Sequence, residues 1–108
     1  MEPIGEVAPD EILQLLDPDE PIALSLETHD AKLRVTDRRL IVTSEDRVRL
    51  AIIYEDLRRI EFDLEYARPA VLVVVPQRVS DPPQILAIER PELHCAAEIL
   101  AFVGQRLP

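Results

Sequence analysis

The sequence has a single cysteine, Cys95, and two histidines, His29 and His94. One thiol excludes an internal disulfide framework, and a protein-made zinc site would have to recruit carboxylates to complete its ligands. No metal and no cofactor are expected. Glycine is scarce as well, at 2 of 108 residues, so tight turns must be made by residues that resist the left-handed backbone. No apolar run approaches the roughly 18 residues of a membrane span. No basic stretch leads into an apolar one at the amino end, so neither a spanning helix nor a signal peptide is expected, and the expected location is cytoplasmic. Catalytic arrangements are missing too. Cys95 and His94 are neighbours in a helical pattern, and neighbours on a helix point about 100° apart, which rules out a base and nucleophile pair. Ser25, Ser44 and Ser80 lack a Gly-x-Ser-x-Gly context. Glu61, Asp63 and Glu65 alternate along a solvent-facing strand edge, where nothing would raise a carboxyl pKa. The expectation is a protein that is not an enzyme.

What is present is enough apolar material for one core. The 108 residues are 47% apolar and 31% charged, which suits one domain and is too little for two. Net charge is −9, unevenly spread. Residues 1–31 hold nine acids and no Lys or Arg, whereas residues 32–59 hold eight cations against five acids. An acidic arm therefore precedes a locally basic middle. The overall charge opposes nucleic acid and disfavours an anionic membrane, although a small local patch could dock one phosphate.

Period and punctuation give the elements. Pro9, Asp10 and Glu11 followed by Ile12, Leu13, Leu15 and Leu16 predict a short N-terminal helix, ended by Asp17-Pro18-Asp19. From Pro21 the period becomes two, with Ile22, Leu24 and Leu26 expected to face inward. Leu33 and Val35, then Leu40 and Val42, then Val48, Leu50 and Ile52 continue the inward set. Thr28-His29-Asp30, Asp37-Arg38 and Glu45-Asp46 are short enough for hairpins and contain no Gly, so at least one turn should be bulged or lengthened. Tyr54-Glu55-Asp56-Leu57 interrupts the alternation, which resumes at Ile60, Phe62 and Leu64. Ala70 to Val75 and Ile85 to Ile88 are apolar at every position and imply strands covered on both faces. A closing helix from about Pro91 to Leu107 presents Leu93, Ala96, Ile99, Leu100, Val103 and Leu107 as an apolar arc. The fold class expected is mainly β within α+β: seven antiparallel strands in a partly open barrel or sandwich, capped by a C-terminal amphipathic helix.

Three segments add a family resemblance. Leu16-Asp17-Pro18-Asp19-Glu20, then Leu33-Arg34-Val35-Thr36-Asp37-Arg38-Arg39-Leu40-Ile41, then Ile53-Tyr54-Glu55-Asp56-Leu57-Arg58-Arg59-Ile60-Glu61 resemble bacterial pleckstrin-homology-like (GRAM-like) domains. The resemblance covers residues 16–107, and its motifs speak for fold more than for ligand. Asp-Pro-Asp-Glu stands where that family often has Gly before the Glu. The implied organisation is an acidic arm with a short helix, residues 1–15, followed by the pleckstrin-homology-like domain, residues 16–108. The implied role is a non-catalytic module for binding a protein partner or for self-assembly.

Two surfaces are candidate sites. If the inward sets are right, Lys32, Arg34, Arg39, Arg47 and Arg49 share one outward sheet face, with Ile41 and Thr43 between them. That face could take an anionic phosphate ligand or a membrane surface, or it could be neutralised by flanking acids or by the acidic arm folding back. The second surface comes from the all-apolar strand, since only one of its two faces can enter the core. The other face must be covered by the N-terminal segment with Ile12, Leu13, Leu15 and Leu16, by the C-terminal helix or by a second copy of the chain. Leu72, Val74, Leu86 and Phe102 are the candidate surface for the last, with homo-oligomerisation as the consequence.

Overall fold

The computed structural model describes residues 15–45, 47–63 and 70–107. Seven strands run in chain order: β1 Leu24–Glu27, β2 Lys32–Val35, β3 Arg39–Ser44, β4 Arg47–Ile53, β5 Leu57–Asp63, β6 Ala70–Pro76 and β7 Gln84–Ile88, followed by helix α1, Leu93–Gly104. All strand pairs are antiparallel, and they form two sheets, β1-β2-β3-β4 and β5-β6-β7. Among the described residues no ladder joins β4 to β5 or β7 to β1. The architecture is an open sandwich, so the barrel alternative is corrected. The reason lies at Tyr54–Asp56, where a 3₁₀ turn redirects the chain between the sheets. The expected N-terminal helix lies outside the described residues save for its last two, and Leu64 lies outside them as well.

Alternation produces the core as expected for most of the chain. Leu26, Leu33, Val35, Leu40, Val42, Leu50 and Ile52 of the first sheet meet Leu72, Val74, Leu86 and Ile88 of the second. Helix α1 lies against β1 and β5, one strand from each sheet, and inserts Ala96, Ile99 and Val103 into the same cluster. It closes the side on which the sheets gape. Its N-cap, Glu92, makes no side-chain bond to the helix; instead the 3₁₀ turn Arg90–Glu92 that leads into it is closed by a capping box in which the Glu92 side chain accepts the Glu89 N–H at 3.1 Å. Pro91 sits in this opening turn, where a missing N–H costs nothing.

The hairpins show how a chain without turn glycines manages. At Thr28 and at Thr36 the residue's own N–H donates to the carbonyl three residues on, Ala31 and Arg39, at 2.8 and 2.9 Å. The return bond, which ordinarily runs to the turn's carbonyl, goes instead to the threonine hydroxyl: Thr28 Oγ1 accepts Ala31 N–H at 3.1 Å and Thr36 Oγ1 accepts Arg39 N–H at 3.0 Å. The third hairpin has no such threonine. There Glu45 adopts φ 54°, the sole positive-φ non-glycine residue among those described. The same hairpin carries a β-bulge, because Val42 faces Leu50 while Thr43 faces Val48, leaving Arg49 as the extra residue. The expectation of one bulged turn is met here.

Candidate functional site

The bulge changes the sequence-derived basic face. Beyond it the parity of β4 inverts, so Val48 stands outward beside Thr43 and Arg47 moves to the core-side parity opposite Ser44. Alternation alone places Val48 and Ile22 inward; both instead pack with Leu16 around Ile41 on the outer surface of the first sheet. Ile41 is completely buried there. Arg34 is 5% exposed, and its Nη1 donates to Thr43 Oγ1 at 3.1 Å. Arg39 donates from Nε to Glu20 at 2.8 Å and from Nη1 to the Leu15 carbonyl at 2.5 Å. Arg49 reaches Glu45 at 3.9 Å, Lys32 is half-buried opposite Thr43 and Glu27, and Arg47 is exposed. The five cations therefore do not converge on one open patch. A bulge is invisible to alternation, because its signal is a turn lacking the residues that would let it close without one.

The three resemblance motifs do converge. Glu20 is 6% exposed and holds Thr36 Oγ1 at 2.5 Å, Arg39 Nε at 2.8 Å and the Asp17 N–H at 3.0 Å. Burial alone would push its carboxyl pKa up, but the hydrogen bonds from Thr36, Asp17 and Arg39 outweigh it and leave the group below its ordinary value. Tyr54, from the third motif, donates its hydroxyl to the Thr36 carbonyl at 2.7 Å, and burial raises its pKa to about 12. Arg38 reaches outward to Asp17 and Asp19 at 2.8 and 2.9 Å, which lowers the Asp19 pKa through the hydrogen bond and then through charge. Arg106 beyond α1 binds Asp37 at 2.8 Å while its guanidinium stacks 3.5 Å from the Phe102 ring centre. One hairpin, Thr36–Arg39, is thus clamped by the chain before β1, by the inter-sheet corner and by the end of the helix. The buried members of this knot, Glu20, Thr36 and Tyr54, spend their polar groups inside it, whereas Arg38, Asp17, Asp19 and Asp37 pair at the exposed surface.

The apolar strand resolves opposite to expectation. Leu72, Val74 and Leu86 are 0–1% exposed and belong to the core, so these three are corrected from a partner surface to packing residues, whereas Phe102 is half-buried against the core. The other parity faces out. Val71, Val73 and Val75 are half-buried, and across the ladder Val71 faces Ala87 and Val73 faces Ile85. Ile85 is 68% exposed. On the opposite flank the same valines meet Asp63, Glu61 and Arg59 of β5. The result is an apolar strip on β6 and β7 with a charged margin. Cys95 is half-buried, with its thiol donating to the Ser25 carbonyl at 3.2 Å, and burial, then Glu98 and Glu92, raise its pKa. The packing reading holds for it.

A groove of about 290 Å³ runs along β4 and is bounded on its far side by Asp56, Arg78 and Asp81. Residues 48–52 line it consecutively. Since alternate residues point to opposite faces, a consecutive lining means that the strand's edge, not one of its faces, forms the wall.

No family model matches the chain, and no curated protein does. Solved structures do. The crystal structure of a DUF1696 family protein with a pleckstrin-homology domain from Shewanella loihica PV-4 superimposes with a TM-score of 0.63 at 15% identity, over 88% of this chain and 86% of that one. A pleckstrin homology domain from Shewanella amazonensis SB2B gives 0.63 at 17% identity, over 88% and 93%. The fold is that of a bacterial pleckstrin-homology-like domain.

Proposed function

We propose that this chain is a non-catalytic pleckstrin-homology-like module that works by contact between proteins and self-associates through the outer face of β6 and β7. The observation that carries the reading is Ile85, 68% exposed on a strip shared with Val71, Val73, Val75 and Ala87. An apolar centre with a charged margin, here Arg59, Glu61 and Asp63, has the anatomy of an interface. The chemistry of the available side chains supports the same side. The one thiol is held protonated against a backbone carbonyl, and the buried carboxylate of Glu20 is consumed by three donors. Anion or membrane binding through Lys32, Arg34, Arg39, Arg47 and Arg49 is the weaker reading, because Arg34 and Arg39 are committed to internal bonds. Light scattering from low to high micromolar concentration tests the proposal. The expected mass exceeds that of the 12.3 kDa chain and returns to it in Ile85→Asp with an unchanged circular dichroism spectrum. A monomeric mass throughout for the parent chain would sink self-association.

A further inference from the structure

The groove beside β4 has backbone as its wall, and the phase of the ladder shows which groups are on offer. Thr36 N–H bonds the Arg39 carbonyl, so in the β2–β3 ladder the hydrogen-bonded pairs are Thr36 with Arg39, Arg34 with Ile41, and Lys32 with Thr43. The intervening residues Leu40 and Val42 therefore turn their N–H and C=O groups to β4, where they meet Ile52 and Leu50. The bond from Tyr54 N–H to the Arg38 carbonyl at 3.4 Å continues that phase. By elimination, the N–H and C=O of Ala51 and Ile53 point away from β3, to the free margin of the sheet, and Ala51 borders the groove. Both residues are exposed, and β5, which could have paired with this margin, has been diverted to the other sheet by the 3₁₀ turn.

A row of donors and acceptors repeating every second residue recognises another extended backbone. We infer that the free margin of β4 takes an extended segment of a partner polypeptide as an added strand, seated between β4 and the β6–β7 loop. The far wall sets its side chains. Arg78, Asp81 and Asp56 close no ion pair among the described residues, and Arg49 is held only by Glu45 at 3.9 Å. A segment with both an acidic and a basic residue matches this mixed wall, whereas a polyacidic one is repelled by a chain of net charge −9. This margin belongs to the other sheet from the apolar strip of β6 and β7, and the inference does not rest on self-association there.

The test is selection from a displayed library of random decapeptides on the folded full chain, followed by backbone amide NMR with the enriched peptides. Enriched sequences should carry charges of both signs, and the amides of Ala51 and Ile53 should shift and become protected from exchange. N-methylation at alternate peptide positions should weaken binding at least about tenfold in one phase and little in the other, as two lost hydrogen bonds imply. Ala51→Pro removes the offered N–H at an edge position, where proline is tolerated, and should abolish binding. If that variant fails to fold, the N-methyl phase dependence, which leaves the protein untouched, decides. No enrichment, shifts centred on Val73 and Ile85, or indifference to N-methylation would each overturn the inference. So would Ala51 and Ile53 shifts that depend on protein concentration without peptide, because the occupant would then be a second copy.

Discussion

Ile41 points away from the core of the four-stranded sheet and is fully buried, whereas Ile85 points away from the core of the three-stranded sheet and keeps 68% of its surface. The two residues have the same chemistry, and the difference lies in what crosses them. Leu16 and Ile22, from the chain that leads into β1, pack with Val48 over Ile41, and the acids of the same stretch, Asp17 and Glu20, take Arg39. No described residue performs that service for the strip on β6 and β7. Full burial of such a side chain contributes about 1.5–3 kcal/mol. The first sheet gains it within the chain, and among the described residues the second does not gain it at Ile85.

The comparison breaks most violently inside β6, where adjacent residues face the core and the open strip. Leu72→Ala should cost about 2–5 kcal/mol, read from denaturant midpoints, because it empties a fully buried site between the sheets. Its neighbour Val73→Ala should cost under about 1 kcal/mol, measured where the chain is monomeric. Equal losses would mean that the strip is already covered.

The cover of the first sheet is tested at Glu20. Glu20→Ala leaves Arg39, which is 21% exposed at its side chain, without its principal partner and strips Thr36 of an acceptor, for an expected loss of about 3 kcal/mol. Acidification should act on the same contact. A carboxyl whose folded pKa is depressed contributes stability that is present above its unfolded value, 4.5 for Glu20, and is lost as pH falls through the folded one. The parent chain should therefore lose stability below about pH 4.5, and Glu20→Gln should flatten that slope in thermal melts at stepped pH. An unchanged slope would remove Glu20 from the account.

A smaller effect separates the clamp from the cover. Tyr54→Phe removes one buried hydrogen bond to the Thr36 carbonyl and should cost about 1 kcal/mol. Alkaline titration gives a second reading. Because burial raises the Tyr54 pKa to about 12, from 10.0, the folded state holds this proton longer than the unfolded one, and stability falls as pH rises through that interval. Retention of the parent's alkaline slope in Tyr54→Phe would show that another group carries it.

How far the sequence could be read depended on whether a feature obeys a period. Strands β1 to β7 and α1 were legible because Leu33, Val35, Leu40, Val42, Leu50 and Ile52 alternate and Ala96, Ile99 and Val103 recur at helical spacing. The outward cations were less legible, since alternation counts one residue per step and Arg49 is an extra one. In β6 the period is silent: six apolar residues in succession fit either parity, and only the β5 pairing of Phe62 with Leu72 and Ile60 with Val74 decides which face is inside. The knot around Glu20 was present as three motifs, but their meeting point is a tertiary fact, joining residues 16 and 18 positions apart.

The bulged hairpin of β3 and β4 offers the gentlest test, and its sign is opposite to the others. Glu45 sits at φ 54°, a region that costs a residue with a Cβ about 1–2 kcal/mol relative to glycine, whose extra freedom in the unfolded chain costs back about 0.5–1 kcal/mol. Glu45→Gly should therefore stabilise by roughly 0.5–1 kcal/mol, since its ion pair with Arg49 spans 3.9 Å at an exposed site and contributes little. The two neighbouring turns supply the control. Thr28 and Thr36 close theirs with hydroxyls and no positive φ, so a glycine at His29 or Asp37 relieves no strain and should destabilise slightly. If Glu45→Gly behaves like those two, the strain assigned to the third hairpin is absent, and the bulge at Arg49 has some origin other than the lack of a glycine or a threonine at its turn.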